Sequence, residues 1–226
     1  MCLGHTHALS GAVTGAAAGE LVLHLPLPGT AALAVLTAAW ATVPDLDIQG
    51  SCAARSLGFL SAAFAWLVHR ISGGHRHATH SIAGAAVLTA VTWAACYGRH
   101  TWPGRITLMF LLAVALAAGF RALHIDGHLG DVLAIAGAAG VTFAGWELAL
   151  IPVACGLGCL THIAGDMLTV EGCPLAWPLT ARHFGVPRPL AFTTGTWRER
   201  LVVAPVLLAV LGLLAFHAVT LTRSLN

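Results

Sequence analysis

Four short motifs in this chain carry side chains that bind divalent metal ions. His162 and Asp166 stand four residues apart in an apolar stretch. On a helix that spacing projects an imidazole and a carboxylate from one face, where both can grip a single ion. Pro44-Asp45-Leu46-Asp47 sets two carboxylates directly after a proline, and an irregular helix end of this kind can aim both inward as oxygen ligands. The run His75-Arg76-His77-Ala78-Thr79-His80-Ser81 adds imidazoles on either side of a guanidinium, and Thr6-His7 adds another near the start. Imidazole combined with carboxylate suits Zn, Mn, Fe or Mg, and donor type alone does not choose among them. The candidate metal ligands are His7, Asp45, Asp47, His75, His80, His162 and Asp166.

The elements that must position these groups are set by composition. Hydrophobic residues make up 58% of the 226 positions and charged residues 9%, with a mean hydropathy of +0.83. That leaves too little polar surface to cover a water-soluble globule. The fold class expected is all-α, a polytopic membrane helix bundle forming one domain over residues 1-226. A span needs roughly 17 to 25 mostly apolar residues, which yields about seven: 6-25, 29-44, 79-97, 106-125, 131-148, 151-169 and 201-221. The second and fifth are among the shorter ones. Residues 57-69 are apolar but flanked by Arg55 and Arg70, so they read as an interfacial helix or a segment dipping into the membrane. Frequent Ala and Gly let the helix backbones approach closely.

All basic charge comes from arginine, scattered singly, so no basic patch for nucleic acid exists. With seven spans, Arg55, Arg70, Arg76, Arg121, Arg182, Arg188, Arg198 and Arg200 share a side with the amino terminus, against Arg99, Arg105 and Arg223 opposite. This asymmetry predicts a cytoplasmic amino terminus. The same parity gathers the four metal-binding motifs at the cytoplasmic face. Six cysteines occur without a Cys-x-x-Cys pair, and Cys155 and Cys159 lie one turn apart as small packing residues. The amino terminus has no basic leader, and the first helix is expected to be retained.

A lone histidine at a membrane helix end is ordinarily an interfacial or capping group, and His5, His24, His100 and His217 are read that way. Thr79 and Ser81 are ordinary helix-start residues. Convergence of separate motifs on one face favours a shared site, because each ionisable group would be costly there alone. His124, Asp126 and His128 form a second polar cluster on the same side, either an accessory to the site or a solvated turn.

The ordered set Thr6-His7, Pro44-Asp45-Leu46-Asp47, His75-Arg76 with Thr79-His80-Ser81, and Gly158 with His162, Asp166, Thr169, Gly172 and Trp177-Pro178 resembles the YdjM-like, LexA-regulated inner-membrane metal-dependent hydrolases. The resemblance runs over roughly residues 5-200, and Thr194-Gly195 followed by Glu199 is similar to the family's closing segment. His77 stands where relatives tend to carry glycine. The resemblance implies a multi-pass protein of the bacterial inner membrane and a metal-dependent hydrolase activity. Neither a substrate nor a role in DNA damage is carried over.

A cytoplasmic-face cluster of this kind would bind one or two divalent ions that acidify water and stabilise charge on a leaving oxygen. Arg76, inside the histidine motif, is suited to clamp a phosphate or carboxylate, so a phosphoester, such as a lipid headgroup, is the favoured substrate class. The candidate catalytic residues are Arg76 with His80 or Asp47 as general base. The rival is a transporter or channel that passes a metal ion or proton through the same buried groups, although such a site belongs nearer the membrane midplane. A structural subunit with scattered polar caps would bind no metal. Membrane lipids are the expected partners, and the oligomeric state is not legible.

Overall fold

The computed structural model describes residues 4–125, 127–144 and 148–224. Among these residues eight α-helices succeed one another: α1 (Gly4–Ala17), α2 (Leu27–Trp40), α3 (Phe59–Ser72), α4 (Ile82–Tyr97), α5 (Trp102–Ala122), α6 (Gly127–Ala144), α7 (Leu150–Met167) and α8 (Ala204–Ser224). Among the described residues there is no strand beyond two isolated bridges, Thr169 with Phe192 and Cys173 with Phe184, which brace the long segment after α7.

Among the described residues, five helical stretches are long and apolar enough to cross a membrane: Leu27–Asp47, Trp102–Ala122, Gly127–Ala144, Leu150–Met167 and Glu199–Thr222. The apolar run at 29-44 falls within the first of these, and that at 131-148 overlaps Gly127–Ala144, with its residues 145–147 outside the described residues. The runs at 6-25 and 79-97 are not among them: the first forms α1 with the π-helical turn Ala18–Val22 and carries the polar His7 and Glu20, and the second forms the 16-residue α4 behind the 3-10 turn Ala78–His80. The run at 57-69 forms α3, a shorter apolar helix.

Small residues decide which helices meet. A Cβ at Gly11 would lie 2.6 Å from the Thr37 carbonyl oxygen, and one at Gly158 would lie 2.6 Å from Trp40 Cβ. Only glycine lets α1 and α7 lie this close to α2. α2 is thereby clasped between α1, α5 and α7. The buried core is built from Leu33, Leu36, Trp40, Leu108, Leu112 and Ile151, while Leu208, Leu213 and Phe216 on α8 remain exposed. Such outward apolar faces suit a hydrocarbon surround.

The start of α1, the end of α2, the turn before α4 and the end of α7 come together at one end of the bundle. The α5–α6 connection lies there too, since the His5 and His124 rings are 6.4 Å apart. Asp126, the middle member of the polar cluster expected around it, falls outside the described residues.

Candidate metal centre

At this end four donor atoms from three elements face one another. His80 Nε2 is 3.1 Å from His162 Nε2. Asp45 Oδ1 is 3.6 Å from His80 Nε2 and 3.7 Å from His162 Nε2. Asp166 Oδ2 is 3.6 Å from His80 Nε2 and 3.8 Å from His162 Nε2. The edges of a tetrahedron with metal–ligand bonds of about 2.0–2.1 Å measure about 3.3–3.4 Å, so the two imidazoles with either carboxylate have about the spacing of ligands to one ion.

Each member is delivered by local structure. His162 and Asp166 share one face of α7. Asp45 sits in the 3-10 turn Pro44–Asp47 that ends α2, and His80 in the turn Ala78–His80 that leads into α4. Ser81 caps α4 by accepting the Gly84 N–H, which fixes that turn against the helix.

Hydrogen bonds set which ring nitrogens are free. His162 Nδ1 donates to the Ala41 carbonyl oxygen at 2.7 Å, so Nε2 carries the lone pair. His80 Nδ1 lies 2.9 Å from Thr79 Oγ1 and 3.3 Å from Asp47 Oδ2. Because the Thr79 hydroxyl donates to Asp47 at 2.6 Å, it accepts from His80 Nδ1. That directs His80 Nε2 at His162 Nε2, and two lone pairs at this distance repel unless a cation or proton lies between them.

Asp47 therefore stands behind His80. Besides Thr79 and His80 it takes the His75 Nδ1–H at 2.9 Å and the Arg76 backbone N–H at 3.2 Å. Its own carbonyl holds His69 Nδ1 at 2.7 Å. Asp45, Asp47, His75 and His80 form one group with the spacing to hold an ion, and His7, His162 and Asp166 form another. His7 stacks on His162 with ring centroids 3.8 Å apart and brings Nε2 to 3.5 Å from Asp166 Oδ1, an oxygen with no hydrogen-bond partner. His77 bonds its own loop, at the His75 carbonyl, and stays out of both groups.

Arg76 is buried with φ of 57°, a left-handed conformation unusual for a side chain of this size. Its guanidinium reaches Asp166 Oδ2 at 3.0 Å, Glu171 Oε2 at 3.1 Å and the Gly172 carbonyl at 2.9 Å. Asp45, Asp47 and Asp166 are buried with this one guanidinium among them. Three carboxylates against one arginine leave negative charge that protons on the neighbouring histidines or a divalent ion would balance. The donor set, the orphaned Asp166 oxygen and this imbalance all fit a divalent metal.

Several contributors carried no sequence signal. Cys173 lies 3.9 Å from Asp166 Oδ2, and burial together with that carboxylate pushes its thiol up to about 12. His69 and the Ala41 carbonyl act through backbone contacts that no motif marks. Glu199, by contrast, is marked in the sequence together with Thr194-Gly195; it accepts the Gly195 N–H at 2.6 Å and so closes the turn into the last helix. In the π-helical turn after α1, half-buried Glu20 meets His217 of α8, a pairing invisible to local spacing.

Comparisons with curated proteins and with solved structures return no match. The profile of one family covers almost the entire sequence, residues 1–223, and the chain belongs to that family, the YdjM inner membrane protein family.

Proposed function

We propose that the protein is a membrane-bound, metal-dependent hydrolase whose His/Asp centre lies at the cytoplasmic face of the bacterial inner membrane and acts on a phosphoester, with lipid headgroups as its source. The observation that carries this reading is the facing pair His80 Nε2 and His162 Nε2, both turned inward by hydrogen bonds at Nδ1 and completed by Asp45 and Asp166. A divalent ion held there supplies acidification of water and neutralisation of charge on a phosphoryl oxygen.

The chain's own residues have distinct tasks in this reading. Asp47 and Thr79 hold His80 in one tautomer and orientation. Arg76 binds the substrate anion at the position where exposed Glu171 now touches Nη1, since an exposed carboxylate is readily displaced by a phosphate. Hydrolysis joins a water oxygen to phosphorus, breaks the ester P–O bond and leaves a proton for the departing alcohol. His7, with Nε2 3.5 Å from Asp166 Oδ1 and outside the quartet, is placed to carry that proton, since both ring nitrogens of His80 are already engaged.

About seven crossings with a cytoplasmic amino terminus complete the reading, supported by the arginine asymmetry. The test is elemental analysis of purified protein together with phosphoester turnover in lipid nanodiscs. His162→Ala and Asp45→Asn should lose metal and turnover together. Metal-dependent ion flux in proteoliposomes without any turnover would instead establish a transporter.

A further inference from the structure

We propose that the apolar cleft between α3 and α4 holds an acyl chain of the substrate lipid, and that the indole N–H of Trp40 hydrogen-bonds the ester carbonyl where that chain joins the headgroup. The proposal rests on the hydrolase reading only in taking the lipid to be a phosphoester.

The cleft encloses about 540 Å³, within the range of small-molecule sites. It exists because α3 packs against the turn Pro44–Asp47 and scarcely meets α4. Its floor is Trp40, Val43, Leu111 and Val114, and its outer rim is Ile71, Val87 and Val91. Those three rim residues are exposed, so the cleft is open toward the hydrocarbon. Its inner end is formed by Pro44, Ala78 and Thr79. Pro44 adjoins the ligand Asp45, and Thr79 bonds both Asp47 and His80, so an occupant reaching this end lies against the metal centre.

Within this apolar lining one polar group lacks a partner. Trp40 is fully buried, and its Nε1 makes no hydrogen bond. An indole N–H left unsatisfied in an apolar surround is unfavourable, and an acceptor on the occupant removes the deficit. Trp40 ends α2, and Asp45 follows five residues later in the 3-10 turn Pro44–Asp47, so the indole and the metal centre border the same cleft. In a glycerophospholipid one glycerol unit joins the phosphate to the ester carbonyl, so a single molecule can offer phosphate to the centre and carbonyl to Trp40. A free phosphate or soluble sugar phosphate would leave both the cleft and Trp40 unused.

The test uses the full-length protein in nanodiscs containing phosphatidylglycerol with a diazirine on one acyl chain. Photolabel should map to peptides of α3, α4 and Trp40 about tenfold above that on the outward face of α8. Ala83→Phe, or Leu88→Trp as a second cleft-filling variant, should remove that excess while metal content and α8 labelling stay unchanged. Trp40→Phe should lower labelling by an ester-linked lipid severalfold and leave an ether-linked analogue unaffected. Cleft labelling no higher than on α8, or indifferent to both filling variants, overturns the proposal. Cleft labelling without phosphoester turnover upholds the chain site and refutes the hydrolase reading. Turnover of glycerol phosphate without cleft labelling does the reverse.

Discussion

His80 and His162 present their Nε2 atoms to each other at 3.1 Å across 82 residues of chain. One arrives on a 3-10 turn ahead of α4 and the other on the last turns of α7. Neither ring can rotate away cheaply, because each Nδ1 is committed to a separate acceptor.

That arrangement separates ligands from the groups that orient them. His162→Ala removes a donor of the central quartet and should abolish stoichiometric metal binding. Asp47→Asn leaves the quartet whole but loosens His80, so affinity should fall by about 10- to 100-fold. Elemental analysis and calorimetric titration of the two variants check the difference. Equal loss in both would make Asp47 a direct ligand.

Arg76→Lys keeps a charge near Asp166 but loses the planar fork. Metal content should stay near wild type, while phosphoester turnover should fall by a factor corresponding to about 1.5–3 kcal/mol. Glu171→Ala, which frees Nη1 of its exposed partner, should lower KM. A KM unchanged in Glu171→Ala would mean that substrate does not enter at Arg76.

Gly158→Ala places a methyl group 2.6 Å from Trp40 Cβ and 2.8 Å from the Ala41 backbone nitrogen. Parting α7 from α2 should cost about 1–3 kcal/mol and lengthen the bond from His162 to the Ala41 carbonyl. Thermal unfolding in detergent should show a lowered midpoint, and metal affinity should fall with it. A variant as stable as wild type, with full metal content, would show that the two helices can separate without disturbing the centre.

Reporter fusions test the proposed topology. A fusion near Arg188 should read cytoplasmic and one after Asn226 external. Both reading the same side would remove one crossing from the count.

Much of this protein is legible along the chain because the relevant physics is local. Apolar content and run length identify membrane helices without any knowledge of their neighbours. The spacing of His162 and Asp166 places both on one face of α7 whatever α7 packs against. Pro44-Asp45-Leu46-Asp47 reads as a helix end because proline and paired carboxylates are both unfavourable inside an apolar helix. Run length is a weaker guide where polar residues interrupt the run, as His7 and Glu20 do in residues 6-25, or where the helix itself is short, as α4 is at Ile82–Tyr97.

The tertiary structure decided what each residue does once it arrives. Asp45 and Asp47 are indistinguishable by spacing, yet one points its oxygen at the two facing imidazoles and the other closes behind His80. Arg76 reads as a free anion clamp, whereas its guanidinium spans Asp166, Glu171 and the Gly172 carbonyl. The Ala41 carbonyl that sets the His162 tautomer, the orphaned Trp40 N–H and the pairing of Glu20 with His217 all depend on where separate helices cross. Composition and periodicity report one segment at a time. The direction of a lone pair or an N–H is set by contacts between segments far apart in sequence, and close approach at Gly11 and Gly158 determines which segments those are.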